Sequence, residues 1–253
     1  MKNSKITLVG AGPGDADLIT VKGLTAIQQA NVILYDALVN RELLDEAPNA
    51  IKIYVGKRAN KHAYSQDEIN LMLVQNALNY GNVVRLKGGD PFIFGRGHEE
   101  IDYAHNFNIE TEVIPGLSAS TSLTTLQNVP LTRRGINESF WVMTGTTRNG
   151  KLSNDIQIAA QTSATIVILM GIRKLRQITE IFRQQGKGEM PVMIVQNGSW
   201  DNEKIALGTV NSIVKIAEAE QIGTPGIIVI GEVVGLHPQL ALDYLVTIKN
   251  EKR

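Results

Sequence analysis

Cysteine is absent from this chain of 253 residues. Without a thiol, the protein has no disulfide, no thiol nucleophile and no sulfur ligand for zinc or an iron–sulfur cluster. An excess of charge is also absent, because 25 lysines and arginines balance 25 aspartates and glutamates. Binding along a nucleic-acid backbone requires a surplus of cations, so we predict no nucleic-acid partner.

Long apolar runs are missing as well. No run approaches the roughly 18 residues that cross a membrane. The N-terminal sequence MKNSKITLVGAGPG enters a strand-like stretch that glycines soon interrupt, which is too short for the apolar region of a signal peptide. We therefore predict no membrane partner and a cytoplasmic location.

The first half of the chain alternates short β-branched runs with helical stretches. The clearest helix is predicted from Gln66 to Tyr80, since Ser65 and Glu68 form a capping box at its start and Gly81 follows its end. Alternation of this kind predicts a mostly parallel sheet covered by helices. The predicted strands are residues 5–9, 32–35, 51–55, 83–86 and 110–114.

The second half has a different order of elements. Two predicted strands, 191–196 and 204–208, follow each other without a helix between them, which indicates a hairpin with Gly198 in its turn. The sheet of this half is therefore predicted to be mixed. The remaining predicted elements are strands 139–143, 164–170 and 226–231 and helices 173–185 and 210–219.

These patterns predict an α/β fold with two α/β domains, which suits the length of the chain. The first predicted domain is residues 1–115 and the second, with the mixed sheet, is residues 136–253. Between them, GLSASTSLTTLQNVPLTRRG indicates a linker region at residues 116–135.

A cluster of glycines follows the first strand in VGAGPGD, residues 9–15. Gly10 and Gly12 match the start of a dinucleotide-binding fingerprint, and Asp36 lies about where a ribose-binding acid is expected. Asp15 occupies the position of the third required glycine, and Pro13 removes a backbone donor. A nicotinamide site and a tight strand–loop turn both stay open on this motif.

Polar and glycine residues are predicted at the carboxyl ends of several parallel strands. KGGDP, residues 87–91, has a glycine pair that permits close approach of a ligand and an Asp90 that can accept hydrogen bonds. Asp36 ends the second strand, and VGKR, residues 55–58, ends the third. Ligands of open α/β sheets gather at this edge, so we favour a ligand site there over structural turns and solvated charges.

Other reactive groups carry weaker patterns. No two of the four histidines have the i, i+4 spacing of a metal-binding helix, so no metal is predicted. The G-x-S-x-G motif of a serine hydrolase is absent. Trp141 lies in a predicted strand and is assigned to the core.

Taken in order, the motifs resemble those of the tetrapyrrole methylases, and in particular of uroporphyrinogen-III C-methyltransferases. The resemblance runs from about Ile6 to Val234, and RLKGGDPFIFGRG is its most specific part. The motifs that carry it are VGAGPGDADLIT, YDALV, VGKR, VVRLKGGDPFIFGRGHEE, VIPGLSAS, PLTRRG, ILMG and VQNGS.

This resemblance implies two α/β domains with S-adenosylmethionine in the cleft between them, and a homodimer. It also implies that Asp36 is the proton acceptor and Lys57 the proton donor, although a structural ion pair or a role in positioning the substrate stays open for these two residues. The implied cofactor-binding residues are Pro13, Gly88, Gly89, Asp90, Ile93, Ser118, Ala119, Met170 and Gly198.

The implied reaction is C-methylation of uroporphyrinogen III at C2 and C7 to precorrin-2, in sirohaem or cobalamin biosynthesis. The eight carboxylates of this substrate require a local gathering of cations in a neutral protein. The candidate substrate-binding residues are Arg58, Lys61, Arg96, Arg133 and Arg134.

Two positions depart from the family pattern, because Thr146 and Arg133 stand where relatives often have histidine. These departures concern the placement of the tetrapyrrole and leave the glycine–aspartate loop intact. Three alternatives stay open: a related methylase with another acceptor, a nicotinamide-dependent oxidoreductase, and a ligand-binding module without catalysis.

Overall fold

The structure is a computed structural model that describes residues 4–56 and 64–240. The chain divides between Ala119 and Ser120 into two compact units, which we call unit 1 and unit 2. This division falls within residues 116–135, the predicted linker region, and the same segment contains a helix, Ala119–Leu126. Each unit combines one sheet with helices, which confirms the predicted α/β fold class.

Unit 1 is built on a parallel sheet of five strands in the order β3-β2-β4-β1-β5. Each predicted strand of this half is confirmed to within one residue at either end. The strands are β1 (Lys5–Gly10), β2 (Val32–Tyr35), β3 (Ile51–Tyr54), β4 (Asn82–Lys87) and β5 (Glu110–Ile114). The helices are α1 (Val21–Gln28), α2 (Glu42–Asp45), α3 (Gln66–Tyr80) and α4 (Gly97–His105), with a 3-10 helix at Ala16–Leu18.

Helix α3 begins and ends at its predicted capping residues. The Ser65 hydroxyl accepts a hydrogen bond from the amide of Glu68 at 3.2 Å, and the amide of Ser65 donates to the Glu68 carboxylate at 2.7 Å. Gly81 follows the last turn with a φ of 95°. The cap fixes the first turn of α3 and with it Gln66, whose amide group reaches the carboxylate of Glu100 on α4.

Helices cover both faces of the unit 1 sheet. Side chains alternate between the faces along a strand, so Leu8 packs with Leu73 of α3 on one face, whereas Val9 packs with Ile27 of α1 on the other. Helix α4, which contributes Ala104, lies on the same face as α3. Each strand is therefore buried on both sides, as expected of a parallel sheet.

The strand order creates a switch point between β1 and β4. The helix after β1 packs on one face and the helix after β4 on the other, so the two loops diverge at the carboxyl edge of adjacent strands. Ligands of open α/β sheets bind in such a crevice. In the dinucleotide-binding order β1 is the neighbour of β2, but here β4 lies between them, which counts against the nicotinamide alternative.

Unit 2 contains a mixed sheet of five strands in the order β6-β7-β10-β8-β9. Among the strands of residues 120–240, only the pair β6 and β7 is parallel, and β8 and β9 form the predicted antiparallel hairpin. The strands are β6 (Phe140–Thr144), β7 (Thr165–Leu169), β8 (Pro191–Gln196), β9 (Lys204–Thr209) and β10 (Gly226–Ile230). The helices are α5 (Ala119–Leu126), whose first residue is the last of unit 1, α6 (Asp155–Ala159), α7 (Leu175–Gln184) and α8 (Ile213–Ala219), with 3-10 helices at Ile172–Lys174 and Glu232–Leu236.

The core of unit 2 lies between its sheet and three of its helices. Ile168 of β7 and Ile228 of β10 pack with Ile156, Ile178 and Ile213 from α6, α7 and α8. The assignment of Trp141 to this core is wrong, since 37% of the residue is exposed. In the described part of unit 2, β6 is at the edge of the sheet and pairs with β7 alone, so its side chains have a neighbouring strand on one side.

Candidate active site

The loops after β1, β4 and β5 meet at the carboxyl edge of the unit 1 sheet. The amide of Gly89 donates to the carbonyl of Gly12 at 2.7 Å, and the amide of Gly12 donates to the carbonyl of Gly89 at 3.3 Å. A Cβ atom on Gly10 would lie 2.5 Å from the Cα of Gly116 and 2.6 Å from the carbonyl oxygen of Gly89. Only glycine permits this approach. We call Gly10, Gly12, Gly89 and Gly116 the glycine cradle.

Gly89 differs from the other glycines of the cradle in facing open space. Its φ is +70°, and a Cβ built on it would meet no atom within 4 Å. The conformation disfavours any residue with a side chain, although the surroundings would accommodate one. The backbone conformation therefore keeps the space beside Gly89 free of a side chain, as expected where a ligand approaches a peptide closely.

Asp90 ties the loop after β4 to the loop after β5. One carboxylate oxygen accepts a hydrogen bond from the amide of Phe92 at 2.8 Å, and the other accepts from the amide of Gly116 at 3.1 Å. Both contacts are to the backbone of unit 1. The carboxylate thus fixes the position of the cradle, and Pro91 is buried beneath the same turn.

The remaining cofactor residues predicted in unit 1 lie around the same edge. Gly88 packs against Leu38, and Pro13 is half-buried in the loop after β1. Ile93 is 39% exposed. Ser118 is buried just after β5, and Ala119 follows it at the start of α5.

Two predicted cofactor residues lie at strand ends of unit 2. Met170 follows β7 with a φ of 56°, is 52% exposed, and accepts a hydrogen bond on its carbonyl from the Thr146 hydroxyl at 2.8 Å. Gly198 lies in the turn of the β8–β9 hairpin, where a Cβ atom would come within 2.5 Å of the Leu123 side chain. Thr146, which stands where relatives often have histidine, therefore contacts the backbone of Met170.

Asp36, the predicted proton acceptor, lies directly after β2 and forms an ion pair. Nη2 of Arg85 donates to Oδ1 of Asp36 at 2.7 Å, and 29% of the Asp36 side chain is exposed. Lys57, its predicted partner, lies outside the described residues. The structure thus places Asp36 at the predicted edge and adds a contact to Arg85 that the sequence did not indicate.

Arg85 belongs to a buried group of charges that sequence reasoning missed. Oε1 of Glu100 accepts hydrogen bonds from Nε of Arg85 at 3.1 Å and from Nζ of Lys87 at 2.9 Å. Burial lowers the pKa of the Lys87 ammonium and the charge of Arg85 adds to this, while Glu100 opposes it. A signal is present in β4, because Arg85 and Lys87 occupy alternate positions of a strand that is otherwise apolar from Val83 to Leu86.

The candidate substrate cations have different surroundings. Arg96 is exposed and forms a bidentate ion pair with Glu99, at 2.8 and 2.6 Å. Arg133 and Arg134 are exposed in unit 2. Arg58 and Lys61 lie outside the described residues.

The loop that carries Arg133 and Arg134 is held by Asn137, a buried residue that sequence reasoning did not select. Its side-chain oxygen accepts from the amide of Arg133 at 3.0 Å. Its amide group donates to the carbonyls of Leu131 and Ser139 and to the Thr165 hydroxyl, each at 2.9 Å. The loop therefore has a defined backbone on which the two guanidinium groups are presented.

Within residues 4–56 and 64–240, no group of three or more histidine, aspartate or glutamate side chains is placed to hold a metal ion. In the same part of the chain, no helix is both long and apolar enough to cross a membrane. The chemistry that the described site offers is backbone hydrogen bonding at the cradle and a paired carboxylate beside it.

Comparison with known proteins places these features in a family. Residues 5–214 match the Tetrapyrrole (Corrin/Porphyrin) Methylases. The uroporphyrinogen-III C-methyltransferase of Methanocaldococcus jannaschii is 45% identical over 235 residues, which are 92% of this chain and 97% of that protein. The siroheme synthase of Psychrobacter arcticus is 41% identical over 239 residues, which are 94% of this chain but only 44% of the length of that synthase.

A solved structure shows the same likeness in three dimensions. The crystal structure of uroporphyrin-III C-methyl transferase from Thermus thermophilus, complexed with S-adenyl homocysteine, has a TM-score of 0.78 at 34% identity. The match covers 92% of this chain and 99% of that one. The chain therefore belongs to the tetrapyrrole (corrin/porphyrin) methylases, the methyltransferase family that its strand-end motifs resemble.

Proposed function

We propose that this chain transfers methyl groups from S-adenosylmethionine to C2 and C7 of uroporphyrinogen III and so forms precorrin-2, for sirohaem or cobalamin biosynthesis. The observation that carries the proposal is the glycine cradle at the switch point of the unit 1 sheet, in a chain of this family. The relative from M. jannaschii is named for C-methylation of uroporphyrinogen III, and the Thermus enzyme was crystallised with S-adenyl homocysteine.

The residues of the cradle fit such a cofactor. The open space beside Gly89 admits a ligand to the peptide backbone, while the hydrogen bonds of Asp90 to two backbone amides keep the cradle in place. The proposed cofactor residues of unit 1 are Pro13, Gly88, Gly89, Asp90, Ile93, Ser118 and Ala119. In unit 2 they are Met170 and Gly198.

When bound, S-adenosylmethionine supplies an electrophilic methyl group on a sulfonium. The main contribution of the chain is alignment, which can supply roughly 7–11 kcal/mol when two reactants are well oriented. Attack by a pyrrole carbon leaves positive charge on the ring, and the substituted ring then loses a proton. We assign charge stabilisation and acceptance of that proton to the Asp36 carboxylate, and return of a proton to the rearranged macrocycle to the Lys57 ammonium.

The substrate carries many carboxylates, so we propose that Arg58, Lys61, Arg96, Arg133 and Arg134 contact them. The exposure of Arg133 and Arg134 on a loop held by Asn137 supports this role for the pair. Arg96 would have to exchange its contact with Glu99 for a substrate carboxylate, or share it.

The direct test is incubation of the purified protein with uroporphyrinogen III and S-adenosylmethionine under reducing, anaerobic conditions, followed by mass spectrometry. We expect the acceptor to gain two methyl groups and S-adenosylhomocysteine to accumulate in proportion. Methylation of another tetrapyrrole but not of uroporphyrinogen III would identify a related methylase with a different acceptor. Cofactor binding without turnover of any tetrapyrrole would identify a binding module.

The first prediction concerns the cradle. Gly89→Leu should abolish S-adenosylmethionine binding measured by calorimetry, because the side chain would fill the space beside the backbone. Gly186→Leu is the matched control, since Gly186 has a φ of +74° and also has nothing within 4 Å of an added Cβ. Both variants carry the same backbone cost, about 1–2 kcal/mol. Unchanged affinity in folded Gly89→Leu protein would remove this glycine from the site.

The second prediction concerns the proton steps. Asp36→Asn and Lys57→Met should each lower turnover by about 10²-fold or more while cofactor affinity barely changes. Asp45→Asn and Lys52→Met are the controls, because both residues are exposed and neither belongs to the proposed site. Near-normal turnover at saturating substrate in either test variant would take that residue out of the mechanism.

The third prediction concerns the substrate cations. Replacing Arg133 and Arg134 with alanine should raise the KM for the tetrapyrrole about tenfold or more, since a charge-assisted hydrogen bond contributes roughly 1.5–3 kcal/mol. The KM for S-adenosylmethionine should change less. Arg148→Ala with Lys151→Ala removes the same charge from an exposed segment and serves as the control. Equal effects on both Michaelis constants would indicate a structural role for the arginine pair.

The fourth prediction concerns assembly. We propose a cytoplasmic homodimer, because the family resemblance implies one and because the edge strand β6 exposes Phe140 and Trp141, by 40% and 37%. Light scattering at micromolar concentration should give twice the mass of one chain, and the mass of a single chain would contradict the dimer. Cell fractionation tests the location.

A further inference from the structure

A buried ion network lies behind Asp36 in unit 1, and the proposed function gives it no role. Arg85, Lys87 and Glu100 are 2%, 4% and 1% exposed, respectively. Charged residues are almost never buried so completely unless they are paired. The network contains two cations and, with Asp36, two carboxylates, so its formal charges cancel.

The Arg85 guanidinium is held from several sides without any help from Asp36. Its Nε donates to Glu100, and its Nη1 donates to the carbonyl oxygens of Leu86 at 3.2 Å and Leu34 at 3.4 Å. The planar fork of an arginine has a fixed geometry, so these contacts set the direction in which Nη2 points. Nη2 points to Oδ1 of Asp36.

Glu100 is in turn held by three donors on one oxygen. Nζ of Lys87, Nε of Arg85 and Nε2 of Gln66 all lie within 3.1 Å of its Oε1. Gln66 is the first residue of α3, and Glu100 lies in the first turn of α4, so the starts of two helices support the network. Arg85 is thus fixed to the scaffold, whereas Asp36 lies outside any helix or strand and is partly exposed.

We propose that Arg85 is a positioning residue for the methyl transfer: its guanidinium, oriented by Glu100 and by backbone carbonyls, fixes the carboxylate of Asp36 at the sheet edge. The inference rests on the proposed function, in which Asp36 acts on the substrate. A partly exposed aspartate without such a partner would occupy several rotamers. Misplacement of a reacting group by about 1 Å can cost about 10²-fold in rate, so a fixed carboxylate has a direct kinetic value.

The test is a double-mutant cycle on turnover, which uses Arg85→Met, Asp36→Asn and the double variant. We expect Arg85→Met to lower kcat by about 10- to 100-fold, with both Michaelis constants changed less than about threefold. In the Asp36→Asn background the same change should alter kcat less than about twofold, because the group that Arg85 positions is no longer functional. If the role of Arg85 were purely structural, Arg85→Met would lower kcat by the same factor with and without Asp36→Asn.

Arg85→Lys is the second variant, which keeps a cation in the buried site in case Arg85→Met does not fold. Lysine keeps the positive charge but has no planar fork that reaches Asp36 and Glu100 together. We therefore expect Arg85→Lys to lose kcat, by less than Arg85→Met does, and we expect this loss also to disappear in the Asp36→Asn background. The control is Arg176→Met, since Arg176 forms an ion pair with Glu218 in unit 2 and its loss should leave kcat unchanged. Thermal unfolding of each variant establishes that it is folded.

Two results would overturn the inference alone: the same loss of kcat with and without Asp36, or a raised KM for the tetrapyrrole with normal kcat, which would make Arg85 a substrate ligand. Normal turnover of Asp36→Asn by itself would overturn both this inference and the proton role of Asp36. Failure of the unsubstituted protein to methylate uroporphyrinogen III would overturn the proposed function, and with it a role for Arg85 in that reaction. These outcomes are therefore distinguishable in one set of assays.

Discussion

The close approach of three loop backbones at the carboxyl edge of the unit 1 sheet is the constraint on which the site depends. Gly10 and Gly116 are packed so tightly that a Cβ on Gly10 would lie 2.5 Å from the neighbouring Cα. The loops after β1 and β4 are joined by two backbone hydrogen bonds, and Asp90 joins the loops after β4 and β5. A ligand at this edge therefore meets a single assembly of backbone groups.

The same loops also set the start of α4, and this places the buried charges. The chain turns at Pro91, whose carbonyl accepts from the amide of Gly97, the first residue of α4. Glu100, in the first turn of α4, then contacts Arg85 and Lys87 of β4. The GGDP turn, residues 88–91, thus affects both the backbone geometry at the sheet edge and the position of Glu100 in α4.

Most of the fold could be predicted from the sequence because its signals are local. Strand bounds followed β-branched runs, and α3 followed a capping box between Ser65 and Glu68. The glycine–aspartate loop was recognisable because it combines two glycines, an acid and a proline at a strand end. Trp141 could not be placed, because whether a strand lies at an edge depends on the strand order and not on the strand's own residues.

The charged part of the site could not be predicted, since its contacts join distant segments. Asp36 and Arg85 are 49 positions apart, and Gln66 and Glu100 are 34 apart. In the sequence, Arg85 and Lys87 alternate with apolar residues of β4, which is a local signal, but nothing local indicates which residues pair with them. Asn137 is a similar case, because its contacts to Arg133 and Thr165 hold a loop that otherwise looks like a polar connection.

The balance of charges beneath Asp36 has a consequence for the chemistry proposed above. Methyl transfer creates positive charge on the tetrapyrrole. Without compensation, the guanidinium of Arg85 behind the Asp36 carboxylate would destabilise that positive charge. Glu100 offsets this effect, because its negative charge brings the sum of the formal charges of the network to zero. The network consists of Arg85, Lys87, Glu100 and Asp36. Removal of one partner of a buried ion pair typically lowers the free energy of unfolding by about 3–5 kcal/mol, because the remaining charge is uncompensated. The network can therefore hold Asp36 in place without presenting a net positive charge to the ring that Asp36 is proposed to stabilise.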